Sequence, residues 1–205
     1  MEPPTNVIRI VNQEVCAMSH DRKERLCIDA TPALIHGVTF YQPEATLMAI
    51  GEKHIDTRSW GTDYTGWVAI HSARETPSDW LARMALNPYA AALTRHELDD
   101  LPFGGIVAFG LLARTEVIES NRHASQVILE RGADFEPLFG DYTPGRRMWL
   151  FDRVVPIHPP IPHGGGRGLW HWTPGPEVRD RVRQVLGLGE PSIPAALLEG
   201  EPAWP

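Results

Sequence analysis

The sequence has little of several features that would assign a protein to a class at once. It contains two cysteines in 205 residues, Cys16 and Cys27, and it opens without a signal peptide, so we expect a cytoplasmic protein without structural disulfides. With His20 the two thiols make three possible metal ligands without a second pair. Because that pattern fits zinc poorly, we predict no metal and no other cofactor. No run approaches the ~20 apolar residues of a membrane helix, so we predict no membrane association.

Positive charge is also scarce. The chain has 19 basic and 26 acidic residues, which gives a formal net charge of −7. Sequence-independent binding of duplexes relies on neutralising many phosphates, and this balance argues against it. A local basic region still exists, because residues 143–183 contain seven arginines and three acidic residues.

Short strands alternate with short helices along the chain, which predicts an α+β fold. Apolar alternation predicts strands at 38–42, 55–58, 67–72, 105–118 and 147–156. Periodicity and capping residues predict helices at 43–50, 79–86, 89–97, 121–131 and 176–186. A stretch rich in proline and glycine, 159–168, is predicted to be a loop whose backbone can approach an anion.

The segment 51–60 concentrates charged residues of both signs. Gly51 suits the left-handed position that ends a helix, and Lys53 follows it closely. On the strand predicted next, Asp56 and Arg58 share one face. Since burying any of these charges alone is costly, we expect Lys53, Asp56 and Arg58 to converge in one pocket. The alternative is a surface turn with a structural Asp–Arg ion pair.

The same residues resemble a family signature. Gly51, Lys53, Asp56 and Arg58 stand at the four positions of the Gly-x-Lys-x-x-(Glu/Asp/Thr)-x-Arg pattern of the ASCH family, in the PUA-like superfamily, after a Gln42–Pro43 helix start. Further similar segments follow in the family's order, at 67–73, 102–107, 139–146, 160–162 and 168–170. The resemblance implies a PUA-like mixed β-barrel with peripheral short helices at 36–175. Residues 1–35 are then an N-terminal extension, and residues 176–205 a C-terminal helix and tail.

The resemblance implies binding of RNA, single-stranded nucleic acid or a modified nucleotide in a small cleft. Some members are amidohydrolases that deacylate acetylated cytidine, and some are ribonucleases, so an enzyme that uses Lys53 is the alternative. The amidohydrolases carry threonine where Asp56 stands, and their mechanism needs a further acid, for which Glu130 and Glu136 are candidates. Glu44 replaces a usual tryptophan. A third possibility is a protein-interaction module with an acidic surface.

The candidate site follows from these patterns. Lys53 and Asp56 are the catalytic candidates, since a lysine–carboxylate pair can move protons and an arginine can hold a phosphate or oxyanion. Each residue has a structural alternative. For Trp60 the alternative to stacking on a base is packing in the core, and for His71 it is a half-buried histidine without a catalytic role. For Tyr142 and Arg146 it is the ordering of their loop. The candidate ligand-binding residues are Gln42, Lys53, Asp56, Arg58, Ser59, Trp60, His71, Tyr142 and Arg146.

Overall fold

The computed structural model describes residues 34–75, 89–93, 100–131 and 136–188. The predicted helix at 79–86, Cys16, His20 and Cys27 lie outside the described residues. The chain divides into two units, and Leu34–Pro174 forms the unit that contains the sheet. Of the other unit the structure describes residues 175–188.

Six strands and four α-helices are present in the described residues. The strands are β1 (Ile35–Phe40), β2 (Ile55–Arg58), β3 (Gly66–Ser72), β4 (Gly105–Val117), β5 (Arg147–Pro162) and β6 (Trp170–Trp172). The helices are α1 (Glu44–Ile50), α2 (Tyr89–Ala92), α3 (Asn121–Arg131) and α4 (Pro176–Leu186), and a 3-10 turn spans Glu136–Leu138. No helix of the described ranges is long and apolar enough to span a membrane.

The strands form one mixed sheet in the order β2-β5-β4-β3-β1-β6. β1 runs parallel to β3, and the other neighbouring pairs are antiparallel. This architecture confirms the α+β class. A closed barrel is not established, because within the described ranges β2 and β6 remain the two ends of the sheet. The sheet is nevertheless curved enough for Arg58 Nη2 on β2 to donate to the Thr39 carbonyl on β1 at 3.1 Å.

β5 is longer than the sequence predicts. It continues through residues 157–162, of which 159–162 belong to the stretch that the composition assigned to a loop. Here β5 pairs only with β4, with Pro162 opposite Gly105, whereas β2 pairs with residues 147–150. Proline lacks the N–H that a central strand needs, but a strand paired on one side accommodates it.

The turn after α1 fixes where Lys53 enters the structure. Gly51 adopts a left-handed conformation with φ 83°, which ends α1 as predicted. The Lys53 N–H then donates to the Leu47 carbonyl at 3.1 Å, so the chain folds back over the last helical turn. β2 begins two residues later, at Ile55, and its alternation places Asp56 and Arg58 on one face.

Two apolar clusters hold the sheet in place. One lies between α1 and the inner face of the sheet, and it includes Met48, Ile70, Leu112, Trp149 and Phe151. The second packs α3 against β2 and β5 through Ile55, Ile118, Val127, Met148 and Leu150. Because both clusters include residues of β5 beside β2, the backbone that carries Asp56 and Arg58 is held by buried side chains.

Candidate functional site: a pocket beside β2

A pocket of about 480 Å³ opens beside β2. The end of β1 and the start of α1 form one side, β2 and the residues after it a second, and residues 138–141 with Arg146 a third. Its volume falls within the roughly 300–1,000 Å³ of small-molecule sites. The lining residues are Thr39, Phe40, Tyr41, Glu44, Asp56, Thr57, Arg58, Ser59, Trp60, Tyr89, Leu138, Phe139, Gly140, Asp141 and Arg146.

Asp56 and Arg58 form an ion pair in this lining. Arg58 Nε donates to Asp56 Oδ2. The Arg58 side chain is 18% exposed, and the Asp56 side chain is 10% exposed. Arg58 Nη2 is held by the Thr39 carbonyl. Among the described residues, none donates to Asp56 Oδ1 and none accepts from Arg58 Nη1. The pair therefore leaves one acceptor atom and one donor atom without a partner in the described part of the chain.

Aromatic rings surround the Arg58 guanidinium. Its central carbon lies 5.1 Å from the ring centre of Phe40, 5.4 Å from that of Trp60 and 5.7 Å from that of Trp149. The two tryptophans contact each other edge to face with ring centres 4.8 Å apart, and Trp149 Nε1 donates to the Trp60 carbonyl at 3.1 Å. Cation–π attraction and these contacts hold Arg58 in one orientation.

Arg146 is the second cation of the pocket. Its Nη2 donates to the Thr57 carbonyl at 3.0 Å, and its Nε lies 3.3 Å from Asp141 Oδ2. The Asp141 N–H donates to Thr57 Oγ1 at 3.0 Å. Hydrogen bonds from Thr143 and the nearby Arg146 charge lower the pKa of Asp141. Arg146 thus joins the third side of the pocket to β2 while its own side chain is only partly buried.

Lys53 lies behind the pocket and does not line it. Its side chain is 1% exposed; Nζ donates to the Phe139 carbonyl at 2.8 Å and lies 3.5 Å from Glu136 Oε1. Glu136 is 0% exposed and also accepts from the His54 N–H at 2.6 Å and from the Tyr142 hydroxyl at 3.1 Å. Burial and the Glu136 carboxylate raise the pKa of Tyr142. Two of the three charges predicted to converge thus meet in the pocket, and the third anchors its wall.

Other predicted site residues also lie outside the lining. Gln42 is buried; its Nε2 donates to the Pro102 carbonyl at 2.6 Å, and its Oε1 accepts from the Thr46 N–H at 3.2 Å. His71 is buried, and its Nε2 lies 2.9 Å from the His163 carbonyl. The Tyr142 hydroxyl donates to Glu136, and Tyr142 is not part of the lining. Ser59, Trp60 and Arg146 do line the pocket.

Several lining residues were not among the predicted site residues. Tyr41, Glu44 and Thr57 are close to the signature residues, and Phe139 to Asp141 come from a distant segment. Glu44 was noted in the sequence only as the replacement of a usual tryptophan. Glu136 was a candidate acid beside Glu130, and the structure places it against Lys53, whereas Glu130 is exposed and bonded to Gln126. The described residues contain no group of three or more His, Cys, Asp or Glu side chains arranged for a metal.

No protein-family model and no curated protein matches the chain. Solved structures similar to it include the ASCH protein of Zymomonas mobilis, at 10% identity and a TM-score of 0.41 over 73% of this chain and 94% of that one. One point variant of that protein matches at 12% identity and a TM-score of 0.36, over 77% of this chain and 83% of that chain. A second point variant matches at 11% identity and a TM-score of 0.38, over 75% of this chain and 96% of that chain. The family named for these solved structures is the one that the sequence motifs resemble.

Proposed function

We propose that this protein binds RNA, or a free or modified nucleotide, by taking one nucleotide into the pocket beside β2. The observation that carries the proposal is the Asp56–Arg58 pair in a pocket of about 480 Å³. The pair is fixed by backbone and aromatic contacts, yet Oδ1 and Nη1 have no partner among the described residues. Every nucleobase carries both donors and acceptors on its pairing edge, and these two atoms offer one acceptor and one donor to it.

The rest of the lining supports the same ligand. Trp60 is partly exposed and gives the base an apolar surface, and stacking on such rings contributes ~1–3 kcal/mol per base. Arg146 is 31% exposed at its side chain and can meet a phosphate. Among the described lining residues the cations are Arg58 and Arg146, so the pocket suits one nucleotide and not a long phosphate track.

The proposal also includes the fold superfamily, the domain bounds and the cellular location. We place the chain among PUA-like mixed β-barrel proteins, with the ligand-binding domain at 36–175 between two extensions. A cytoplasmic location follows from the low cysteine content.

Catalysis has less support than binding. Lys53 is enclosed and engaged by Glu136 and by the Phe139 carbonyl, so it has no route to a bound substrate in this conformation. A protein-interaction module also has less support, because the charged pair lies in a concave pocket and not on a flat surface.

The proposal is tested by titrating the protein with ribonucleotides and short single-stranded RNA at two salt concentrations. Arg58→Gln removes a charge-assisted donor, worth ~1.5–3 kcal/mol, so we expect affinity to fall at least about tenfold. Arg114→Gln, at a position 51% exposed on β4, is the matched control and leaves affinity unchanged. One neutralised phosphate, at Arg146, predicts a shallow salt slope of about −0.7.

Three results would overturn the proposal: no probe binds, Arg58→Gln binds like the unchanged protein, or the slope is several times steeper. Incubation with acetylated cytidine, followed by mass spectrometry, separates binding from turnover. We expect no deacetylated product.

A further inference from the structure

Two large apolar side chains at the pocket are exposed to solvent. Tyr41, just after β1, has 48% of its surface exposed, and Leu138, in the 3-10 turn, has 56% exposed. Both belong to the pocket lining. They come from segments far apart in the sequence, so their meeting at one pocket is a product of the fold. Exposed apolar groups gathered at one concave site are typical of binding surfaces.

Tyr41 differs from the other aromatic residues of the pocket. Phe40 is 3% exposed beneath the Arg58 guanidinium, and Tyr89 is 7% exposed in a separate apolar cluster. Trp60 is partly buried by its contacts with Arg58 and Trp149. Among the described lining residues, Tyr41 therefore presents the most accessible aromatic ring.

The backbone that carries Tyr41 is held on both sides. Phe40 is anchored in the apolar cluster under the sheet, and Gln42 is buried with hydrogen bonds to Pro102 and Thr46. The Tyr41 carbonyl itself accepts from the Ala45 N–H at 3.1 Å. A ring on a fixed backbone loses little conformational entropy when a ligand packs on it, which favours a role in binding.

Local charge indicates which part of a nucleotide would approach this ring. Glu44 lines the same side of the pocket as Tyr41, whereas Arg146 lies on the third side with residues 138–141. A carboxylate disfavours a phosphate nearby but not an uncharged base. The Tyr41 side of the pocket is therefore suited to stacking. On the third side the Arg146 charge balances the Asp141 carboxylate, which lies 3.3 Å from its Nε, so a phosphate meets less repulsion there.

We infer that Tyr41 is the stacking platform for a second base, next to the nucleotide held by Asp56 and Arg58. The preferred ligand is then a single strand of at least two nucleotides, and Leu138 adds apolar surface at the same pocket. This inference rests on the proposed function, since it needs the first nucleotide to occupy the pocket.

The test compares the four ribonucleoside 5′-monophosphates with the four 5′-phosphorylated homodinucleotides by calorimetry. Stacking of one extra base predicts that the best dinucleotide binds about 5- to 150-fold more tightly than its mononucleotide. Tyr41→Ala removes this gain, so it weakens dinucleotide binding by a much larger factor than mononucleotide binding. Tyr41→Phe retains the gain, because the ring and not the hydroxyl supplies the contact. Leu129→Ala, at an 82% exposed position on α3, is the control and changes neither affinity.

Other outcomes overturn the inference in distinguishable ways. If mononucleotides bind and dinucleotides bind equally well, the second-base site is wrong while the proposed function stands. The same conclusion follows if Tyr41→Ala weakens both probes by the same factor. If no probe binds the unchanged protein, both proposals fail together.

Discussion

Lys53–Glu136 and Asp56–Arg58 are ion pairs that begin three residues apart on the chain, and their surroundings differ. Lys53 and Glu136 are sealed, at 1% and 0% exposure, and are also hydrogen-bonded to the Phe139 carbonyl, the His54 N–H and the Tyr142 hydroxyl. Arg58 is partly exposed, Asp56 is more buried, and both line a pocket. A buried pair that loses one member leaves an uncompensated charge, whereas a pocket pair can exchange protein contacts for ligand contacts. From this difference we propose that the first pair serves stability and the second pair recognition.

The largest expected effect comes from breaking the sealed pair. Lys53→Met leaves the Glu136 carboxylate buried without its cation, so the free energy of unfolding should fall by ~3–5 kcal/mol. The measurement is urea denaturation, with Glu130→Ala as the control, because that acid is exposed and should change stability by at most about 0.5 kcal/mol. Adding Glu136→Gln to Lys53→Met should recover part of the loss, since the buried charge is removed. A loss below about 1 kcal/mol in the single variant would show that the pair is not what holds this wall.

The pocket pair should respond in the opposite way. Asp56→Asn keeps an acceptor oxygen for Arg58, so the protein should fold normally and bind ligand about fivefold more weakly, a cost of ~1 kcal/mol. Affinity and thermal unfolding are measured on the same preparation. Asp56→Thr, which introduces the residue type of the acetylcytidine hydrolases, should not produce deacetylation. If Asp56→Asn binds normally but abolishes a measurable turnover, Asp56 is a general base and the binding role is wrong.

The smallest expected effect is a pH dependence of folding stability. It comes from histidines that belong to neither ion pair. Burial is the leading cause that lowers the pKa of His36, His71 and His163 below the ordinary value of 6.5. In the window just below that value the unfolded chain binds more protons than the folded one. Stability from these neutral rings is therefore complete above pH 6.5 and is lost as the pH falls below it.

Urea midpoints at about pH 7.5 and about pH 5.5 measure this loss. His71→Gln should reduce it, because Gln keeps a donor for the His163 carbonyl and does not titrate. His158→Gln, at an exposed position, should leave it unchanged. Equal midpoints at the two pH values in the unchanged protein would contradict the assignment. Neither variant should change ligand affinity, because neither His71 nor His158 lines the pocket.

Local sequence patterns were sufficient to predict the end of α1 and the strand β2, which flank the candidate site. Gly51 ends α1 in the left-handed conformation that glycine adopts without strain, and the strand period of two places Asp56 and Arg58 on one face. The strands at 55–58 and 67–72 and the helix at 121–131 were predicted within a residue of their observed bounds. These features depend on neighbours within a few residues, which is why a pattern reveals them.

Only the tertiary structure decided which of the charged residues line the pocket. Lys53 shares the signature with Asp56 and Arg58, yet it is directed to Glu136 and the Phe139 carbonyl, which come from a segment more than 80 residues away. The sheet curvature that brings Arg58 to Thr39, and the extension of β5 to Pro162, also depend on distant pairing. A single sequence carries no register between distant segments, so the composition and walls of the pocket follow from the fold alone.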